Sequence, residues 1–594
     1  MHSDRATRTR VNDRQGNQTA DLLITGGRVI DTRAGQLVEA DVSICGDRIA
    51  DLHAPGDGPD ARETLDARGQ VLSPGFINTH LHVESSLVTP QEYERMVLPR
   101  GTTTIVCDPH EMANVLGQRA FDFFLDHART MVLDMKIGLS SCVPATDLGT
   151  SGAVLRARDL APYMDMPEVI GLAEMMDIGG MLGDDPVVLE KLELFRDRYV
   201  GGHLPLIAES DKLGHFRKLG LLDDHESVSH AEGAAKLKHG FNLLIREGTA
   251  AQNLEALVGL IRPENAGRLA FCTDDRHPNE VRAEGELDHI IRQAIALYDP
   301  SQHGPNRDAH VLRIYQMATL WGAENFGLRD RGAVEPGMLA DLVLLDDLED
   351  CRAATVLKDG RPVDAARLAE RPRIDPQEYG AYGTVRFKGR DQLAPDDFAK
   401  PASGRTVPVI RIVPGQIVTE YETADLSVGA DGNLLADPRQ DIAKLVVVER
   451  HGKTGNIAVG FVRGFGLKDG AIASTLAHDD HNVIAAGSDD QQLARAVNRV
   501  KELGGGFVLV QRGEVVAEQP LPVAGLMSDR PWEEVADRQD ALIAATARMG
   551  LSVTDPTMTL AFLALPVIPD LKLCDTGLTR FNADSHPVPQ RIAG

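Results

Sequence analysis

His80 and His82 close the run FINTHLH. On a β-strand, side chains alternate faces with a period of two, so both imidazoles project to one side and a single cation could take them. An isolated H-x-H is more often a pair of half-buried histidines than a ligand pair, so its meaning depends on its company. That company is Glu174 in VIGLAEMM, His203 in RYVGGH, His225 in LLDDHES and Asp274 in LAFCTDD, each closing an aliphatic or β-branched run. Four imidazoles and two carboxylates suffice for two divalent cations if Glu174 bridges them. The mixed nitrogen and oxygen set suits manganese, iron or zinc alike and has no thiolate character. Such ions lower the pKa of a shared water toward about 7, which makes a bridging hydroxide available as a nucleophile.

More side chains able to do chemistry crowd the same strand ends. Asp275 and His277 follow in TDDRHP, and Asp275 is the rival of Asp274 as a ligand. Glu84 lies just past the H-x-H. Asp108, His110 and Glu111 occur in CDPHEMANVLG, where the competing explanation is a helix cap by Asp108 and a first-turn carboxylate at Glu111. Far downstream, His478-Asp479-Asp480-His481 sits between two apolar runs; a solvated turn is favoured over metal binding, and closure over a substrate stays open.

These residues need a frame that gathers them. Eight strand-like runs, FINTHLH, TTTIVCD, MKIGLSSCV, VIGLAEM, RYVGGH, LGLLDDH, FNLLIREG and RLAFCTDD, alternate with helical stretches between residues 76 and 331. That pattern predicts an α/β fold, a TIM-like (β/α)8 barrel with its site at the C-terminal ends of the strands. Residues 21–75 and 332–365 read as short antiparallel strands and predict a discontinuous small β-sandwich domain into which the barrel is inserted. Residues 1–20 read as a flexible polar tail. Residues 366–406, rich in Pro, Gly and charge, read as a linker or loose crossover, and 407–594 as a C-terminal α+β domain.

Composition narrows the partners. With 62 Lys and Arg against 88 Asp and Glu among 594 residues, the net charge of −26 repels phosphate backbones, so nucleic acid is not expected. No apolar run is long enough for a membrane span, and the opening lacks the apolar stretch of a secretory signal, so a cytoplasmic location is expected. Six dispersed cysteines without a C-x-x-C pair argue against a disulfide framework and a thiolate zinc site. A homo-oligomer, a dimer first, is the expected assembly.

PGFINTHLH after a β module, the marked barrel strands and the returning GAVEPGMLADLVLLD resemble the metal-dependent amidohydrolases. Longer blocks resemble the prokaryotic adenine deaminase family: THLHVESSLVTPQEYERMVLPRGTTTIVCDPHEMANVLG, DDHESVSHAEGAAKLKHGFNLLIREGTAAQNL, CTDDRHPNE and, in the C-terminal region, GFGLKDGAIASTLAHDDHNVIAAGSDD. One departure is LPLIAESDKLGHF after His203, where the family's turn resembles the glycine-containing PGLSG. The resemblance implies hydrolysis of adenine to hypoxanthine and ammonia. For that reaction, the strand-end placement makes Asp274 the candidate proton relay and Glu111 the candidate acid toward a ring nitrogen, with Glu84, His110, Asp275, His277, His478 and His481 as candidate substrate contacts. The rivals are a cyclic-amide hydrolase of the same superfamily, of the hydantoinase or dihydroorotase kind, and a noncatalytic barrel scaffold.

Overall fold

All eight of the runs quoted above contain strands of one curled parallel sheet in the computed structural model, which describes residues 19–553, 555–582 and 586–593. The expected N-terminal tail, residues 1–20, lies outside those residues except for its last two. The barrel strands are β1 (Phe76–Leu81), β2 (Thr102–Cys107), β3 (Asp134–Leu139), β4 (Val169–Met175), β5 (Tyr199–Gly202), β6 (Asp223–Asp224), β7 (Asn242–Arg246) and β8 (Leu269–Cys272). Each pairs with the next in parallel register from β1 to β5 and from β6 to β8. Leu222 N donates to Val200 O at 2.9 Å across the β5–β6 seam. Thr79 Oγ1 donates to Phe271 O at 2.7 Å, and Asp274 N to His80 O at 3.1 Å, so β8 meets β1 and the barrel closes. The strands are almost wholly buried, as parallel strands covered by helices require. Two glycines permit the close approach: a Cβ on Gly171 would lie 2.1 Å from Tyr199 O, and one on Gly202 2.2 Å from Asp223 O.

Two further sheets are built from segments before and after the barrel in sequence. One has four strands, in the order Arg48–His53, Asp41–Cys45, Ala20–Thr25, Ala61–Asp66. The other runs Arg361–Pro362, Ala353–Lys358, Leu342–Leu345, Val71–Pro74, Arg28–Asp31, Gln36–Glu39, so strands from both sides of the barrel segment share one sheet. Ile24, Val42 and Ile44 of the first sheet pack with Val29, Leu72, Leu342 and Leu344 of the second in a common apolar core, the arrangement of a sandwich.

The helices that matter for the site are α1 (His110–Leu116), α2 (Pro278–Ala283), α3 (Asp490–Leu503), α4 (Trp532–Met549) and α5 (Pro556–Ala561). The last three belong to a C-terminal region built on an eight-stranded, mainly antiparallel sheet and a three-stranded one. Residues 366–406 differ from the loose crossover expected of their composition. Val385, Phe387, Leu393 and Phe398 are buried with Leu493, Val497 and Val500 of α3 in one core. Pro and Gly set turns there, but the apolar side chains between them find a groove and seat the segment.

Candidate active site at the barrel mouth

Alternation along β1 brings His80 and His82 to the same side, with ring centroids 4.8 Å apart. Glu174, on β4, stands between two groups of imidazoles. Its Oε1 lies 3.3 Å from His82 Nε2, 3.8 Å from His80 Nε2 and 3.5 Å from His110 Nδ1, while Oε2 lies 2.7 Å from His203 Nδ1 and 3.3 Å from His225 Nε2. One carboxylate thus addresses two separate sets of nitrogen donors. Asp274 brings Oδ1 to 3.4 Å from His80 Nε2 and 3.2 Å from His82 Nε2. Asp275 carries a buried Oδ1 without a hydrogen-bond partner, as do the Nε2 atoms of His80 and His203. Ligand atoms of His80, His225 and Asp274, of Glu174, His203 and His225, and of His82, Asp108, His110 and Glu174 are grouped closely enough to hold cations. The residues form a candidate metal-ligand cluster.

Electrostatics follow from packing carboxylates and imidazoles together out of water. Burial opposes ionisation of Glu174, but hydrogen bonds and charge from His203 and His225 hold it well below the usual carboxylate range. Burial likewise pulls His225 down, yet Glu174 lifts it to about 9. His80 goes the other way, to about 4, through burial and the neighbouring His225. Asp275 is pushed up to about 6 by burial and by the charge of Asp274. Groups this strongly perturbed, and in opposite directions, add to the case for a candidate functional site.

The rest of the expected set surrounds this cluster. Glu111, the second residue of α1, accepts from Ser85 Oγ at 2.5 Å, and its Oε2 lies 3.6 Å from His481 Nε2. Asp108 does not cap α1; it accepts from Ser140 Oγ at 2.7 Å and faces His110 Nδ1 at 3.1 Å. His110, expected at the substrate, lies beside His82 and Glu174, and its Nε2 is 3.4 Å from Asp479 Oδ1. Glu84 accepts from Met112 N at 3.0 Å and is pushed up to about 8 by burial and by Glu111. The solvated turn favoured for residues 478–481 is not what the structure has. His478, Asp479 and His481 are buried, His478 stacks on Phe562 with centroids 4.6 Å apart, and the loop reaches Glu111 and His110. Its flanking strands end at the barrel mouth, and burial against the barrel overrides the turn-like composition. His277 is buried against α4 and α5, with Nδ1 3.1 Å from Gln539 Nε2 and 3.3 Å from Asp555 Oδ2.

Sequence reasoning missed Arg246. Fully buried at the end of β7, it donates from Nη1 to Asp274 Oδ2 at 2.8 Å and pairs with Glu226, which leaves Asp274 Oδ1 turned toward His80 and His82. The strand-end logic that singled out the acids and histidines would have found it in FNLLIREG had cations been considered.

Comparison with known proteins gives the family. Residues 71–363 match the amidohydrolase family and 416–585 the adenine deaminase C-terminal domain. The chain is 47% identical over 569 residues to an adenine deaminase of Gluconobacter oxydans, covering 96% of this chain and 97% of that one. The chain belongs to the adenine deaminase family. Another member, from Cereibacter sphaeroides, is 46% identical over 568 residues, covering 96% of this chain and 97% of its own. Among solved structures, a zinc-bound adenosine deaminase from Xanthomonas campestris is 18% identical with a TM-score of 0.44, covering 61% of this chain and 97% of that one. The chain joins an amidohydrolase match to an adenine deaminase C-terminal domain, and among the described residues no helix is long and apolar enough to cross a membrane.

Proposed function

We propose that this chain hydrolyses adenine to hypoxanthine and ammonia at the barrel mouth, with Glu174 as the centre of a two-cation site. The observation that carries the reading is the division of Glu174, one oxygen toward His80 and His82 and the other toward His203 and His225. The donors fit divalent cations: they are neutral-nitrogen and carboxylate groups, and buried Nε2 atoms of His80 and His203 have no hydrogen-bond partner. His80, His82, Glu174, His203, His225 and Asp274 would hold the ions, manganese first and iron or zinc otherwise. Bound there, the ions supply Lewis acidity that lowers the pKa of water toward about 7.

The side chains supply the proton traffic. Asp274, steadied at Oδ2 by Arg246, accepts a proton from the attacking water on Oδ1 and returns it to the exocyclic nitrogen, so that the C6–N bond breaks with ammonia as the leaving group. Glu111, positioned by Ser85, protonates a ring nitrogen as charge moves into the purine, and the proton left on the C6 hydroxyl returns to Glu111 as the carbonyl forms and ammonia departs. Glu84, His110, Asp275, His277, His478 and His481 supply the remaining polar surface, and the 478–481 loop shields it from water. The division into 21–75 plus 332–365, 76–331 and 407–594 belongs to the same proposal, as do a cytoplasmic location and a homodimer. The net charge of −26 supports a free base over a polynucleotide as substrate.

The test is ammonia release from adenine, followed with the ultraviolet change from adenine to hypoxanthine, by protein loaded in turn with Mn, Fe and Zn. Stoichiometric release of both products is expected. No product with any of the three metals would overturn the reading.

A further inference from the structure

Asp274 has φ +55, a left-handed conformation that a side chain other than glycine keeps only where its surroundings over-determine it. On one side the turn is pinned by Thr249, whose N donates to Asp275 O at 2.7 Å and whose Oγ1 accepts from His277 N at 2.9 Å. On the other side the pin is the His277 ring, wholly buried, with Nδ1 facing Asp555 Oδ2 at 3.3 Å and the Gln539 amide at 3.1 Å. Asp555 is itself rigid. Its Oδ1 accepts from the backbone N of Thr557 and Met558, both at 2.9 Å, at the start of α5, which leaves Oδ2 for His277. Gln539 is carried by α4, and that helix is tied to α2 by ion pairs of Arg282 with Asp537 and Asp540, each at 2.6 Å.

We propose that Asp555 and Gln539 are positioning residues that hold the Asp274 turn through His277, so that the C-terminal domain sets the geometry of the proton relay. Neither residue reaches Asp274. His277 is the last fixed point before α2, and a carboxylate placed three residues earlier in a strained turn moves when that point is released. This rests on the proton-relay reading of Asp274 for its kinetic consequence, but its structural consequence does not depend on turnover.

The experiment compares Asp555→Ala, Asp555→Asn, His277→Ala and the double alanine variant by crystallography, metal content, thermal midpoint, kcat and KM. In crystals of Asp555→Ala, Asp274 should leave φ near +55; an unmoved turn overturns the proposal whatever the enzyme does with adenine. With an active wild type, Asp555→Ala should lower kcat about 10- to 100-fold with KM and bound metal little changed. Asp555→Asn, which keeps a polar side chain of the same shape against His277 Nδ1, should recover most of that loss. The double variant should be no slower than His277→Ala alone, because Asp555 acts through that ring. A lower thermal midpoint with wild-type kcat, or losses that multiply in the double variant, would reduce Asp555 to a helix cap. Should Asp555→Ala fail to fold, Gln539→Leu tests the same link from α4, and an unmoved Asp274 turn there also overturns it. A wild type that releases no ammonia refutes the assigned reaction, a failure distinct from an unmoved turn.

Discussion

Two buried charge clusters occupy opposite ends of the barrel, and they differ in whether their atoms have partners. At the N-terminal ends of β2 and β3, Arg331 Nη1 donates to Asp134 at 2.6 Å and to Thr104 Oγ1 at 2.8 Å, while Lys358 lies 3.1 Å from Asp341 and 2.9 Å from Asp359. Every charge there is answered. At the C-terminal ends, buried atoms of His80, His203, Glu111, Asp275, His478 and both ring nitrogens of His481 lack hydrogen-bond partners among the described residues. An unpaired buried polar group costs about 1–3 kcal/mol, so a fold that leaves several together keeps them for something that binds. The lower cluster locks the sandwich to the barrel, and the upper one is the candidate metal-ligand cluster with the residues around it.

The largest effects should therefore separate activity from stability at the two ends. Asp274→Asn should cut kcat by at least about 10³-fold, since the amide cannot take up and return the proton, even if part of the metal is retained. Glu111→Gln should lower kcat about 10²-fold and leave metal content unchanged. Steady-state kinetics alongside metal analysis checks both, and a fully active Asp274→Asn would remove that residue from the relay. At the other end, Lys358→Met should leave kcat of the folded protein unchanged while costing about 3–5 kcal/mol of stability, because Asp341 would remain buried without its cation. Denaturant unfolding measures it, and a loss of activity without a loss of stability would erase the contrast.

A second buried lysine sharpens the comparison. Burial works against the charge of Lys358, yet Asp341, Asp134 and Asp359 hold its pKa above the ordinary value. Lys572 donates only to Ile417 O at 2.8 Å and Phe562 O at 2.9 Å, and burial alone pushes it down to about 7. Between about pH 7 and the unfolded pKa near 10.4 the unfolded chain then binds the extra proton, so stability should rise with pH across that window. Lys572→Met should flatten the rise, a change on the order of a few kcal/mol at most, whereas the wild-type slope should survive Lys358→Met. Unfolding curves from pH 7 to 10 decide it, and an unchanged slope in Lys572→Met would show that another group titrates.

The same contrast explains how much could be read beforehand. The eight strands were legible because each apolar run is bounded by turn residues, and the ligand candidates because alternation along a strand fixes the face of His80 and His82 without knowledge of the rest. What failed to show was set by packing between segments distant in sequence. His481 looks like a surface turn until the C-terminal sheet delivers it beside Glu111, and the nearness of His110 to Glu174 shows only once the start of α1 turns Nδ1 toward it. Arg246 closes a strand and Asp555 caps a helix, local patterns that do not reveal their partners. Their roles exist only through Asp274 and His277.

The smallest expected effect lies in the turn after His203, where the chain departs from the glycine-containing motif it resembles. Leu206 sits at φ +59, and its side chain is 46% exposed, so the residue bears left-handed strain without repaying it by full burial. The left-handed conformation costs a residue with a Cβ roughly 1–2 kcal/mol, and glycine gives back about 0.5–1 kcal/mol of that through its greater freedom when unfolded. Leu206→Gly should therefore raise stability by no more than about 1 kcal/mol and leave kcat unchanged. A marked fall in metal content or kcat in that variant would instead mean that Leu206 holds His203 in place by packing, and that the turn belongs with the mouth rather than with the well-partnered framework beneath it.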